Sequence, residues 1–155
     1  MSQASIRAAL NTIVDGVTGT GNVYDYRRWA VLYDDVLSKF KDGTAGTLLG
    51  FVIGEATSSN ERISFRTSGD AGTLCTWTFK IIMYYGAKDA DATMKTAETL
   101  IESVATALNS SSTLHDGQTF YHAGLANVSI FELRDWCNTL VHYGQIDQAI
   151  TEYMT

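Results

Sequence analysis

The pattern that most constrains the fold is an alternation of side chains between Leu74 and Tyr85. Within this stretch, polar Thr76, Thr78 and Lys80 alternate with apolar Cys75, Trp77, Phe79 and Ile81. Successive side chains of a strand point to opposite faces of a sheet, so the pattern predicts a long strand with one buried and one solvated face. Other elements of the chain must cover the buried face.

Two shorter stretches before this strand have a similar β-rich composition. They are Leu48–Ala56 and Arg62–Thr67, separated by Ser58-Ser59-Asn60, and a polar segment at 68–72 precedes the long strand. Consecutive strands with short polar turns predict an antiparallel meander. Two more strands are predicted near the end of the chain, at about 126–134 and 138–153.

Three stretches have apolar residues at spacings of three and four, which predicts helices. They are Gln3–Val14, Arg28–Lys41 and Asp91–Leu108, the last capped by Asp89 or Asp91 and with Met94, Ile101 and Val104 on its inner face. The predicted fold class is α+β: a single mixed, mainly antiparallel sheet with helices packed on one face, plus a protruding β-hairpin. A length of 155 residues fits one domain over residues 1–155.

The charge of the chain disfavours tight binding to nucleic acid. Its 11 Lys and Arg residues against 17 Asp and Glu residues give a net charge of −6, and Arg134 is the only basic residue after Lys95. Binding to phosphates needs several cations, and an acidic C-terminal part opposes it. No apolar run reaches the length of a membrane span, and Met1–Leu10 lacks the apolar core of a signal peptide, so we expect a protein that is cytosolic where it is made.

The sequence has no clear metal or redox site. The histidines are His115, His122 and His142, and none of their spacings is that of a metal site, although His122 and His142 could be neighbours across paired strands. Cys75 and Cys137 lack C-x-x-C spacing, so we expect both to be small buried residues. No metal and no cofactor are therefore predicted.

Asp34 is the best candidate for a catalytic residue. It stands beside Asp35 in the helix at 28–41, near Trp29 and Tyr33. Small cone-shaped α+β domains place an Asp and a His in an aromatic-lined apolar pocket, where burial raises the carboxyl pKa and allows proton transfer. The helical phase opposes this role, because Asp34 lies opposite the apolar face. A ligand-binding or lyase-like cone that uses Asp34 and His142 is the alternative prediction.

The predicted hairpin is the best candidate for a contact with another subunit. Its polar flanks cover 55–60 and 67–72, and apolar Ile63 and Phe65 lie between them. Such a hairpin is either a solvated loop or a contact arm, and apolar side chains on a protruding arm are typical of interfaces. The predicted interface residues are Glu61, Arg62, Phe65 and Arg66.

The order of the predicted helices and strands along the chain can be compared with that of known protein families. They are the helix Ile6–Val14, a meander ending in Thr76–Tyr85, the helix Asp91–Leu108, and the strands Val128–Arg134 and Leu140–Tyr153 with the closing His142-Tyr143-Gly144-Gln145-Ile146. This order resembles that of the tail terminator and related neck, or tail-completion, proteins of long-tailed bacteriophages. The resemblance covers nearly the whole chain. The helix at Arg28–Lys41 has no firm place in that pattern, which leaves a neighbouring neck role open.

The resemblance implies a structural role without enzymatic activity. Members of the family form a six-fold ring on the last ring of the tail tube, end tube polymerisation and present a surface to the head. The expected partners are further copies of this chain, the tail tube protein, and a head connector or head-completion protein. The expected location is the virion neck, reached by assembly in the host cytoplasm. DNA passes through such a ring without specific binding and no membrane is involved, which agrees with the acidic charge.

Overall fold

The structure is a computed structural model that describes residues 3–26, 38–41, 48–64, 71–88, 92–111, 114, 122–136 and 138–154. The elements follow in the order helix α1 (Gln3–Asp15), strands β1 (Asn22–Tyr24), β2 (Leu49–Ser64) and β3 (Ala71–Gly86), helix α2 (Thr93–Ser110), and strands β4 (His122–Ala123), β5 (Asn127–Trp136) and β6 (Thr139–Met154). Residues 38–40 are also helical.

The described strands form one mixed sheet. Its order is β1-β2-β3-β6, and both β4 and β5 pair with the remaining side of β6. β1 runs parallel to β2, whereas the other pairs are antiparallel. The predicted α+β class with a single mixed, mainly antiparallel sheet is therefore confirmed.

The predicted turn at Ser58-Ser59-Asn60 is wrong, because these residues lie inside β2. They pair in register with Trp77, Thr76 and Cys75 of β3. Their side chains are exposed, so their polarity reflects the solvated surface of a strand and not a change of chain direction. Along the described β2–β3 pairing, the register shifts between Ile53 and Ala56. The expected meander of three strands is thus a hairpin of two long strands.

β2 and β3 stay paired as far as Ser64 and Ala71, and residues 65–70 lie outside the described residues. β3 also pairs with β6 out to Thr73 and Met154. The hairpin is therefore supported by a third strand along most of its length. In the part of the chain that the structure describes, the outer edge of β2 has no strand partner beyond Val52. Whether the tip protrudes stays a prediction.

Helices α1 and α2 pack on the same face of the sheet. α1 buries residues four positions apart, which are Ile6, Leu10 and Val14. α2 contributes Leu100, Ile101, Val104 and Leu108 to the same core, and the sheet contributes Phe51, Ile53, Phe79, Ile81, Met83, Ile146 and Ile150. α2 comes close to β6 at Gly144, where an added Cβ would overlap Ile101 Cδ1. A residue without a side chain is what allows this approach.

The opposite face of the sheet carries a smaller aromatic cluster. Phe40 packs there on Leu48, Val52 and Val141, with Tyr24, Tyr84 and Trp136 around it. The ring of Phe40 makes edge contacts with Tyr24 at 5.4 Å and with Trp136 at 5.2 Å between centroids. Helices α1 and α2 thus cover one face of the sheet, while Phe40 covers part of the other face.

The helix boundaries differ from prediction at the start of α2. The residue before the helix is Ala92, with φ of 50°, and no side chain caps the helix. Asp89 and Asp91 lie outside the described residues, as does the predicted helix at 28–41 apart from residues 38–41. Within the described part of the chain, no helix combines the length and apolar character needed to span a membrane.

Candidate functional site

A concave pocket of about 550 Å³ lies where the start of α2 meets the β5–β6 pair. Its apolar lining includes Met94, Phe131, Leu133 and Leu140. Its polar lining consists of Thr93, Glu98, Glu132 and His142. A mostly apolar pocket of this volume with a few polar groups is typical of binding sites.

Thr93 organises the wall of the pocket formed by α2. Its hydroxyl accepts a hydrogen bond from the Lys88 N–H at 2.8 Å and donates one to the Lys88 carbonyl at 3.1 Å. These two bonds connect Lys88, which follows β3, to the first turn of the helix. Since Ala92 between them has a positive φ, the chain turns sharply and brings the first residues of α2 over β6.

His142 is the buried polar group of this site. It is only 8% exposed, its ring stacks on Phe131 at 6.2 Å between centroids, and its Nε2 lies 3.0 Å from Thr93 Oγ1. The Thr93 hydroxyl donates its proton to the Lys88 carbonyl, so it can only accept from His142. The three hydrogen bonds of Thr93 Oγ1 are therefore satisfied when His142 Nε2–H is the donor. Nδ1 is then an acceptor, and it makes no hydrogen bond with any described residue.

Burial lowers the pKa of His142, and the nearby carboxylate of Glu98 offsets part of that effect. The imidazole is therefore neutral at pH 7. Glu98 is exposed at the rim and forms no ion pair within the described residues, whereas Glu132 pairs with Arg134. The pocket thus offers two hydrogen-bond acceptors, the imidazole Nδ1 and the Glu98 carboxylate, within an apolar surround.

The rim of the pocket exposes large apolar side chains. Met94 is 52% exposed, Leu133 is 55% exposed and Leu140 is 52% exposed. Together they form what we call the rim patch. Isolated exposed apolar residues are ordinary, but several around one concavity mark an interaction site. The arrangement can bind an apolar group that carries a hydrogen-bond donor at its end.

The predicted interface residues lie elsewhere. Glu61 is exposed in β2, and Arg62 pairs through its backbone with Thr73. Phe65 and Arg66 lie outside the described residues, so the hairpin interface stays a prediction. The rim patch is on the opposite end of the long strands from this hairpin, because β6 begins near the pocket and ends beside Thr73.

The candidate catalytic and metal-binding residues are not brought together in the described structure. His142 lines the pocket, while Asp34 and His115 lie outside the described residues. The expectation that His122 could neighbour His142 is wrong: His122 pairs with Thr151, about 30 Å further along β6 at ~3.4 Å per residue. Within the described ranges, no three His, Cys, Asp or Glu side chains are placed to hold a metal ion. Cys75 is buried, as expected.

The rim patch was missed by sequence reasoning. The apolar spacing of α2 predicts that Met94 faces the core, but it lies in the first turn of the helix and is 52% exposed. Leu133 and Leu140 stand on either side of the short β5–β6 connection. Apolar residues on both sides of a tight turn were the available signal, and only the sheet order shows that they meet α2.

No protein-family model matches the chain, and no curated protein matches it. Function therefore has to be inferred from the fold, the site and the order of the elements.

Proposed function

We propose that this chain is a structural virion protein that forms a ring at the head-proximal end of a long phage tail, ends tail-tube polymerisation and provides the head-attachment surface. One observation carries the proposal: a single sheet in which α1, a long hairpin, α2 and a closing strand pair follow one another. The family resemblance implies the same succession of helix, antiparallel strands, helix and closing strand pair, with a meander where this chain has a hairpin.

The rim patch supports an assembly role. Three large apolar side chains are held half-exposed on α2, β5 and β6, all of which are anchored in the core. Burying the exposed half of such a side chain stabilises a contact by about 1 kcal/mol, half of the gain for complete burial, so a contact that covers all three is favoured. In a symmetric ring the same gain recurs at every interface. The partners proposed are further copies of this chain, the tail tube protein, and the head connector or head-completion protein.

The net charge of −6 agrees with a ring through which DNA passes without binding. The proposed location is the virion neck after assembly in the host cytoplasm. The proposal assigns no enzymatic activity and no cofactor to the chain.

The decisive experiment removes the gene and examines the particles by electron microscopy. Tails of unregulated length would identify a terminator, whereas normal-length tails separated from filled capsids would identify a joining protein. Light scattering on the purified protein should give six times the 16.9 kDa subunit mass, or a monomer that forms rings only on tube ends. Normal particles in the absence of the gene would overturn the proposal.

The hairpin provides a second test. Changing Arg62 and Arg66 together to Glu should alter the free energy of unfolding by no more than about 0.5 kcal/mol, as is usual for surface changes. Incorporation into particles should nevertheless fail if the hairpin is a contact arm. Lys80→Glu, at an exposed position of β3, is the matched control and should be incorporated normally. Normal incorporation of the double variant would refute the arm.

The second candidate is the cone-type ligand-binding or lyase-like protein that uses Asp34 and His142. The observation that favours it is the placement of His142 in a pocket with an unused Nδ1. The long helix α2 between two groups of strands opposes it, because cone enzymes gather their helices at the N-terminus. A tight dimer whose small-ligand binding is lost in both Asp34→Asn and His142→Gln would favour this candidate over the ring.

A further inference from the structure

We propose that the pocket at the start of α2 is a binding site for a small aromatic amine. The ammonium group of the ligand lies between Glu98 and the Nδ1 atom of His142, and its ring system packs on the apolar wall. The site adds a ligand to the proposed structural role and does not depend on that role.

The feature that points to a ligand is a buried imidazole with one nitrogen unused. His142 lines the pocket and is only 8% exposed. Its Nε2 atom lies 3.0 Å from Thr93 Oγ1, whereas Nδ1 has no hydrogen-bond partner among the described residues. Leaving a largely buried acceptor without a partner costs free energy. A ligand that donates a hydrogen bond to Nδ1 removes that cost.

The polar lining of the pocket selects a donor that carries positive charge. Glu98 has no ion-pair partner within the described ranges, and the charge of Glu132 is balanced by Arg134. No Lys or Arg side chain is among the described residues that line the pocket. The Glu98 carboxylate raises the pKa of His142 against the effect of burial, so its negative charge is felt at the imidazole. An ammonium group beside Nδ1 is attracted in the same way, whereas a carboxylate or phosphate is repelled.

The apolar lining favours an aromatic body for the ligand. The rings of Phe131 and His142 are parallel to within 2° and form a flat wall. Aromatic rings pack on such a wall in offset stacks. The pocket volume of about 550 Å³ lies well within the range of small-molecule sites. A two-ring system therefore fits, while a thin alkyl chain such as that of lysine leaves most of the wall uncovered.

Binding of an amine requires His142 to be neutral. An alkylammonium group is charged at pH 7, since its pKa is about 10.4 in lysine, and it donates to a neutral imidazole. A protonated imidazole has no acceptor and repels the ligand. The ionisable groups around the ring are Glu98 from α2, Tyr85 from β3, and the paired Glu132 and Arg134 from β5. Burial lowers the pKa of His142, so affinity should decline only below pH 6.5.

The first test compares three ligands of nearly the same shape by calorimetric titration of the full chain at pH 7.5. They are tryptamine, its neutral N-acetyl derivative and indole-3-propionate. Tryptamine should bind about tenfold more tightly than the other two, because a charged donor forms the stronger hydrogen bonds. Equal affinities would overturn the selection for positive charge. No saturable binding of tryptamine up to about 1 mM would overturn the site itself.

A fourth compound distinguishes a small molecule from a lysine of another protein. Nα-acetyl-lysine methyl ester has the same ammonium group on an alkyl chain, so it should bind more weakly than tryptamine. Binding as tight as that of tryptamine would overturn the aromatic class and would instead favour a protein partner that inserts a lysine side chain.

Substitutions locate the binding in this pocket. Glu98→Gln should weaken tryptamine binding by about tenfold and leave the neutral N-acetyl derivative unchanged. Glu102→Gln is the matched control, since Glu102 is exposed one turn further along α2 and does not line this pocket. A control that loses as much affinity as Glu98→Gln would overturn the assignment of the pocket.

The pH dependence tests His142 without altering the fold. In Glu98→Gln, which lacks the carboxylate beside the ligand, tryptamine affinity should still fall below pH 6.5 as the imidazole takes up a proton. An affinity that stays constant down to about pH 4.5 would overturn the role of Nδ1.

The ligand site and the proposed ring function fail separately. Tails of unregulated length after removal of the gene, together with no binding of tryptamine, would leave the structural role standing and overturn the site. Normal particles without the gene, together with selective binding of tryptamine, would remove the neck role and support the site.

Discussion

Gly144 lies in β6 where α2 comes closest to the sheet, and adding one methyl group there should strain the core. The new Cβ would overlap Ile101 Cδ1 and lie 3.2 Å from Met83 Cε. Both neighbours are buried, Ile101 at 2% and Met83 at 0% exposure, so neither side chain can move into solvent. Overpacking a core usually costs about 1–3 kcal/mol. The loss of glycine freedom in the unfolded chain returns roughly 0.4–1 kcal/mol, so Gly144→Ala should lower the free energy of unfolding by about 0–2.6 kcal/mol.

The partner substitution is Ile101→Val, which deletes the overlapping Cδ1 atom. Alone it should cost about 0.5–1.5 kcal/mol, because it leaves a small cavity. In the double variant the alanine methyl occupies part of that space, so the two costs should not add. We expect a coupling free energy of at least about 1 kcal/mol between the two positions.

Urea unfolding measures the stability of the wild type, the two single variants and the double variant. It is followed by circular dichroism and tryptophan fluorescence at concentrations too low for assembly. Gly124→Ala is the matched control, since its Cβ would make ordinary contacts of 3.5 Å with Ala149. It should change the free energy of unfolding by less than about 0.5 kcal/mol. Additive costs of Gly144→Ala and Ile101→Val would refute the close approach of α2 to β6.

Three further outcomes are expected. Val104→Asp places a charge at a fully buried position and should cost about 3–5 kcal/mol, so soluble folded protein would show that the inner face of α2 is misassigned. Burial lowers the pKa of His142 below its ordinary value of 6.5. The unfolded chain therefore binds the proton more readily than the folded chain. The stability conferred by neutral His142 is complete above about pH 6.5 and is lost as the pH falls through the pKa of the folded state. The stability difference between the wild type and His142→Gln should accordingly narrow from pH 7 to pH 5, and a constant difference would contradict the burial of the ring. Burial and the nearby Glu152 carboxylate raise the pKa of the Cys75 thiol. In a Cys137→Ser variant, a thiol reagent should therefore label Cys75 only as fast as the protein unfolds. Rapid labelling of the native protein would contradict the position of Cys75 in the core.

Local periodicity was enough to predict several elements. The spacing of Ile6, Leu10 and Val14 predicts α1 within one residue of its observed end. The alternation around Trp77 predicts β3, and the composition after Ala126 predicts β5 and β6. These predictions succeed because burial on one side of a helix or strand leaves a repeat in the sequence itself. The α+β class and the mixed sheet follow from the order of the elements.

Pairing partners are less visible in the sequence. Ser58 and Asn60 have the composition of a turn, yet they continue β2 because Trp77 and Cys75 of β3 provide the hydrogen bonds for the opposite strand. A polar strand at the edge of a sheet is stabilised by its ladder and not by burial, so no hydrophobic repeat reveals it.

The candidate site depends entirely on tertiary structure. His142, Thr93 and Leu133 come from three separate elements and meet because β6 pairs with β5 on one side while α2 begins above it. The sequence determines that Met94 is apolar and helical, but whether it faces the core or water depends on how α2 is placed on the sheet. That placement is decided by contacts between residues far apart in the chain, which leave no local repeat in the sequence.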